Sequence, residues 1–109
     1  MSLSMIQFSY KSETVANLIK NPENRSVAVK KLIEKLGGKL LAFYYTYGEY
    51  DGFLIAEMPD NTSTLATVMA AFSAGGTAKL KTTVLITVEE AMTAMRKASG
   101  LKLEQPKAK

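Results

Sequence analysis

YGEYDG, residues 47–52, sets two carboxylates and a tyrosine between a pair of glycines, with a second tyrosine just ahead of them, all between two strongly apolar runs. Carboxylates accept hydrogen bonds and move protons, and tyrosines stack on flat ligands or donate a hydroxyl. The chemistry open to the rest of the chain is narrow, because it contains neither histidine nor cysteine. Ser-His and Cys-His nucleophile systems, thiolate metal sites and disulfides are therefore excluded. A metal site made of carboxylates alone is a poor match for zinc, copper or iron, so no metal is expected. Gly75-Gly76 carries neither of the glycine patterns that cradle phosphates or dinucleotides, and no cofactor is expected.

The candidate ligand-binding residues are Tyr45, Tyr47, Tyr50, Asp51 and Glu57; no catalytic residue is assigned. Each also has a plain structural reading. Tyr44 and Tyr45 are good strand formers that pack across strands or across a dimer. Gly48 and Gly52 suit a turn, and Asp51 suits the bonding of nearby backbone N–H groups, so the stretch reads as a turn first and a pocket rim second. Glu57 interrupts an apolar strand. Facing a closed interior it would act as a general base; the expected alternative is an ion pair with Lys81 or another cation across the sheet. Arg25, after Pro22, reads as a local salt-bridge partner, and Met58, Met69, Met92 and Met95 read as core filler.

These residues sit in a chain of 109 residues, one domain's worth, with 47% apolar and 22% charged residues. The formal charge of +4 is unevenly placed: residues 1–95 hold nine Lys/Arg and nine Asp/Glu, and the excess lies in Arg96, Lys97, Lys102, Lys107 and Lys109 against Glu104. A neutral body with a short basic end does not suggest a nucleic-acid partner. The apolar runs are too short to span a bilayer, and the start has no secretory pattern, so no membrane partner is expected and a cytoplasmic location is.

The periodicities give the elements. SMIQFSYK alternates as a strand, with Ile6, Phe8 and Tyr10 on one face. A helical pattern with Val15, Leu18 and Ile19 follows, is broken at Pro22, and resumes with Val29, Leu32, Ile33 and Leu36 on one stripe before Gly37-Gly38. KLLAFYYTYG and FLIAEMPD form a hairpin around GEYDG. Leu65, Val68, Met69 and Phe72 mark the next helix, TAKLKTTVLIT a fourth strand, and TVEE at 87–90 a capping box that opens a short last helix.

The order β-α-β-β-α-β plus a terminal helix is the ferredoxin-like, split βαβ arrangement: an α+β domain over residues 4–99 with two helices on one face of a four-stranded antiparallel sheet. Residues 100–109 read as a basic flexible tail. Leu80, Val84 and Ile86 are assigned to the helix-covered face. The other face, in the absence of a bulge, mixes Met5, Gln7, Ser9, Tyr45, Tyr47, Phe53, Ile55, Glu57, Lys81, Thr83 and Leu85. That surface is too apolar to leave bare, and two such sheets facing each other would enclose a pocket.

The stretch NPENRSVAVKKLIEKLGGKLLAFYYTYGEYDGFLIAEMPD resembles the GYD-domain family: an Arg after a Pro, Gly-Gly before the second strand, Gly-x-Tyr-Asp at Gly48, Tyr50 and Asp51, and a Glu-x-Pro-Asp close. The resemblance runs to about Glu90 and implies a ferredoxin-like dimeric α+β barrel; it brings no catalytic residues. GEYD is also similar to the hairpin of the effector-binding domain of leucine-responsive-type regulators, which sense amino acids. No helix-turn-helix precedes it here, so direct DNA binding is not implied. Other dimeric α+β barrels are small oxygenases and isomerases that often use histidine, which this chain lacks. The expected function is a homo-oligomeric small-molecule-binding or sensor module. The alternatives are a cofactor-independent enzyme on a small hydrophobic or aromatic substrate, or a purely structural oligomerisation module.

Overall fold

The computed structural model describes residues 1–107, so Ala108 and Lys109 of the expected tail lie outside the described residues. The elements are β1 (Ser2–Tyr10), α1 (Ser12–Lys20), α2 (Arg25–Lys35), β2 (Lys39–Tyr45), β3 (Gly52–Met58), α3 (Asn61–Ser73), β4 (Thr77–Leu85) and α4 (Val88–Ala98). The sheet runs β2-β3-β1-β4, antiparallel throughout, which is the ferredoxin-like topology expected. Residues 101–107 carry no regular secondary structure. Among the described residues no helix is long and apolar enough to cross a membrane.

Period two explains the sheet. Ser4, Ile6 and Phe8 on β1 and Gly52, Leu54, Ala56 and Met58 on β3 are buried under the helices, while their odd-even neighbours are half-buried on the open face. The core joins Ile6, Leu54, Ala56 and Met58 to Ile33 of α2, which is wholly buried, with Val29, Leu36, Leu40, Phe43, Val68 and Leu80 packed around it. Helix ends follow local chemistry. Pro22 separates α1 from α2, and the Asn24 side chain caps α2 at Ser26 N. Gly37, at φ +82°, supplies the left-handed residue after α2. Asp60 caps α3 by accepting from Ser63 N at 2.8 Å, and those bonds lower its carboxyl pKa. Thr87 and Glu90 form the expected capping box of α4.

Four expectations are corrected. A bulge in β2 between Leu40 and Ala42 shifts the strand's phase. Phe43 and Tyr45 consequently pair with Leu54 and Gly52 on the helix side, and Ala42 and Tyr44 take the open face. Tyr45 is therefore not on the open face; Tyr44 is, stacked on Phe53 with ring centroids 5.7 Å apart. On α3 the buried positions are Thr64 and Thr67, while Leu65, Met69 and Phe72 are exposed. Val84 falls in register with Ser4 on the helix side, but no helix covers it or Ile86. Of the methionines read as core filler, only Met58 is buried; Met69, Met92 and Met95 are exposed because the helices that carry them meet no cover there.

Candidate functional site

The chain end of β1 meets the β2–β3 loop, and Asp51 joins them. Its Oδ2 accepts the Tyr10 N–H at 2.7 Å. The Asp51 N–H donates to Phe8 O at 2.8 Å, and its carbonyl accepts from Thr46 N–H at 2.8 Å. Thr46 Oγ1 donates to Tyr50 O at 2.8 Å, closing the loop from within. The loop then reaches over β1 toward β4: Ser9 Oγ donates to Glu49 O, and the Lys79 ammonium lies 3.7 Å from Glu49 and 4.6 Å from the Tyr50 ring centroid. Gly48 turns the chain at φ +113°, and Gly52 lies against Phe8 with no room for a side chain. Gly, Tyr and Asp of this stretch are thus all used in holding the hairpin.

The predicted site residues part company. Tyr45 and Asp51 come together with Tyr10, Val15, Ile19 and Thr46 around a cavity of about 370 Å³ at this end of the sheet. Tyr47 projects into solvent at the loop tip, and Tyr50 serves the contact with Lys79. Glu57 sits at the far end of β3 on the open face, in register with Leu3 and Lys39. Lys81 stands opposite Gln7, several rows along the sheet, so the expected Glu57–Lys81 pair does not form. Among the described residues the ion pairs are Glu23–Arg25, at 2.9 Å, and Glu49–Lys79.

A larger cavity, of about 530 Å³, lies between the helices and the sheet. Ile6, Phe8, Phe43 and Leu54 make its floor, and Leu18, Leu32, Val68 and Ala71 line it from α1, α2 and α3. Polar groups reach it from the break between α1 and α2: Asn17, Asn21, Glu23 and Arg25. Thr14 and Gly76 close another part, with Thr14 Oγ1 donating to Gly76 O at 2.7 Å. The Thr77 hydroxyl, from a residue that lines this cavity, is buried without a hydrogen-bond partner. An apolar space with a few polar groups at one end is the usual form of a small-molecule site.

Tyr10 borders both cavities. Its hydroxyl is 3.3 Å from that of Tyr45, and its ring tilts against Phe8 at 5.2 Å. Burial, followed by the Tyr45 hydroxyl, pushes its phenol well above the ordinary tyrosine range. A raised acid pKa means that the unfolded chain loses this proton first. Tyr10 accordingly contributes stability below pH ~10 that is lost as pH rises above it. Spectrophotometric titration is expected to show a phenol that ionises late, and Tyr10→Phe should remove that late component; an unchanged titration curve would refute the assignment.

Sequence reasoning named Asp51 and Tyr45, which border the smaller cavity, and did not name Thr14, Asn17, Asn21 or Thr77, which line the larger one. Asn17 and Asn21 stand close before Pro22, where the helix breaks, but nothing in the sequence marks Thr14 or Thr77.

The sequence pattern of the GYD domain matches residues 5–95. Among curated proteins none matches the sequence. Solved structures share the fold at low identity. A transcriptional regulator of Neisseria meningitidis, NMB0573, determined in complex with L-Met, is 17% identical with a TM-score of 0.59 over 80% of this chain and 51% of its own. MtbAldR is 16% identical with a TM-score of 0.58 over 79% of this chain and 53% of its own. TTHA0845 from Thermus thermophilus is 16% identical with a TM-score of 0.54 over 81% of this chain and 96% of its own. The chain thus spans about half the length of the first two, and at these identities the likeness is one of fold. By the match over residues 5–95, the chain belongs to the GYD-domain family.

Proposed function

We propose that this chain is a small-molecule-binding module that works as a homo-oligomer. The observation that supports it most is the cavity of about 530 Å³ under the helices, apolar on its floor and polar at the α1–α2 break. The same fold in the Neisseria regulator was determined with L-Met, which is consistent with a small polar-ended ligand. The unpartnered Thr77 hydroxyl and the Asn17, Asn21 and Arg25 side chains are the groups that would orient such a ligand. Tyr45 and Asp51 serve as the rim of the neighbouring, smaller cavity.

Native mass spectrometry of protein purified from its source tests the reading. A bound small molecule is expected in the wild type. Ala71→Phe, which places a ring in the cavity, should lose it while keeping the circular dichroism spectrum of the wild type. A wild type that carries nothing, and that does not take up an apolar fluorescent probe such as anilinonaphthalene sulfonate, would overturn it.

Oligomerisation is the second half of the reading. The open face carries Met5, Ile55, Phe53, Tyr44 and Leu85 around Gln7, Glu57 and Lys81. Twofold packing of two such faces would cover it and enclose a second space between the sheets. Because Tyr44, and not Tyr45, lies on this face, Tyr44→Lys is expected to give a monomer by analytical ultracentrifugation at micromolar concentration. A wild type that is itself monomeric there would refute the face-to-face dimer.

A further inference from the structure

Helix α3 has two flanks. Thr67, Ala70 and Ala71 line the larger cavity on one. Leu65, Met69 and Phe72, spaced i, i+4, i+7, form a stripe on the other. They are 58%, 62% and 50% exposed. Helix α2 packs on β2 and α3 packs on the outer strand β4, where Val84 and, just beyond the strand, Ile86 are also exposed. None of the thirteen residues of α3 is charged. A surface helix ordinarily keeps a charged face for water, and this one has none.

Helix α4 is the counterpart. Val88, Met92 and Met95 repeat the i, i+4, i+7 spacing and are exposed, while Glu90 and Lys97 fall on the opposite side and Glu89 and Arg96 on the flank. No residue of α4 is buried. The molecule spans 61 × 37 × 22 Å with a radius of gyration of 18.2 Å. A compact chain of this length has a radius near ~13 Å. At its start Thr87 is extended (φ −67°, ψ 159°) and locked to Glu90 by the capping box.

We propose that α4 of one copy docks in the groove between α3 and β4 of a second copy, which returns the same contact. The reciprocal exchange closes as a twofold pair. Each arm unites five exposed side chains of the groove with three of the helix. At roughly 100 Å² each, two arms reach the range of about 1,200–2,000 Å² that a stable dimer buries. The uncharged α3 presents no like charge to Arg96 and Lys97, which stay at the rim. This contact depends neither on ligand binding nor on the open sheet face.

The chain has no cysteine, so single thiols can be placed freely. Met69→Cys and Met95→Cys chains, co-expressed with different tags, are treated with a short bis-maleimide, which relaxes the strict Cα spacing of a disulfide. Cross-linked pairs joining the two tags should exceed those from either variant alone by roughly tenfold, since docking raises the local thiol concentration to the millimolar range. The Met69→Cys/Met95→Cys double variant should give a covalent dimer. A double variant that cross-links only within one chain would show α4 folding back on its own α3 and overturn the exchange. Absence of any cross-link between sites 69 and 95 would overturn the groove itself.

Discussion

Asp51→Ala is expected to melt well below the wild type. The change leaves the half-buried Tyr10 N–H without the acceptor it has at 2.7 Å, and the cost of such an orphan is about 1–3 kcal/mol. In a domain of this size that is a fall of about 4–8 °C per kcal/mol. Asp51→Asn should recover part of the loss, because its amide oxygen still accepts from Tyr10 N–H. The backbone bonds of Asp51 to Phe8 and Thr46 survive both changes, so neither variant should lose the hairpin outright. Thermal melts of the two at equal concentration decide the matter. An Asp51→Ala that melts with the wild type would mean that the carboxylate serves the 370 Å³ cavity it borders and has little part in holding the turn.

The reach of sequence reasoning differed by element. β1 and β3 alternate without interruption, so their faces could be read from residue types alone. β2 could not be phased, because one extra residue at Leu41 reverses the sides of everything after it, and nothing in LLAFYY marks a bulge. That single residue moved Tyr45 from the open face to the rim beside Tyr10. The stripe on α3 misled for another reason. Leu65, Val68, Met69 and Phe72 obey helical periodicity, yet the sheet below takes Thr64 and Thr67, whose hydroxyls are absorbed by the carbonyls of Asp60 and Ser63. Periodicity locates an apolar flank and says nothing of which neighbour covers it. The larger cavity was hidden because it arises from the break between two helices, a gap that no run of residues spells out. The Gly-x-Tyr-Asp turn was legible, since each of its residues has a local job: Gly48 bends, Tyr50 meets Lys79, and Asp51 binds a backbone N–H.

Gly52→Ala is expected to be more damaging than any change at Gly48, although both glycines flank the same turn. At Gly48 a Cβ would meet open space, and the cost is the strain of φ +113° alone, on the order of 1 kcal/mol. Gly52 carries no positive φ, so its demand is for space. A Cβ there would overlap Phe8 Cζ and stand 2.6 Å from Tyr44 O. Neither neighbour yields readily: the Phe8 ring is buried and packed against Phe43 and Tyr10, and the Tyr44 carbonyl belongs to a paired strand. Overpacking of a closed core costs about 1–3 kcal/mol for a tolerated methyl, and a double clash with ring and backbone is expected at or above the top of that range. Urea unfolding should show the midpoint falling with the slope unchanged if the fold is kept. Phe8→Leu relieves the ring contact and leaves the carbonyl contact, so the double variant Phe8→Leu/Gly52→Ala should be less destabilised than the sum of the two single changes. A Gly52→Ala protein within about 1 kcal/mol of the wild type, below the usual cost of overpacking, would show that β1 and β3 part easily at this end. With that the rigid latch at Asp51 would lose its footing.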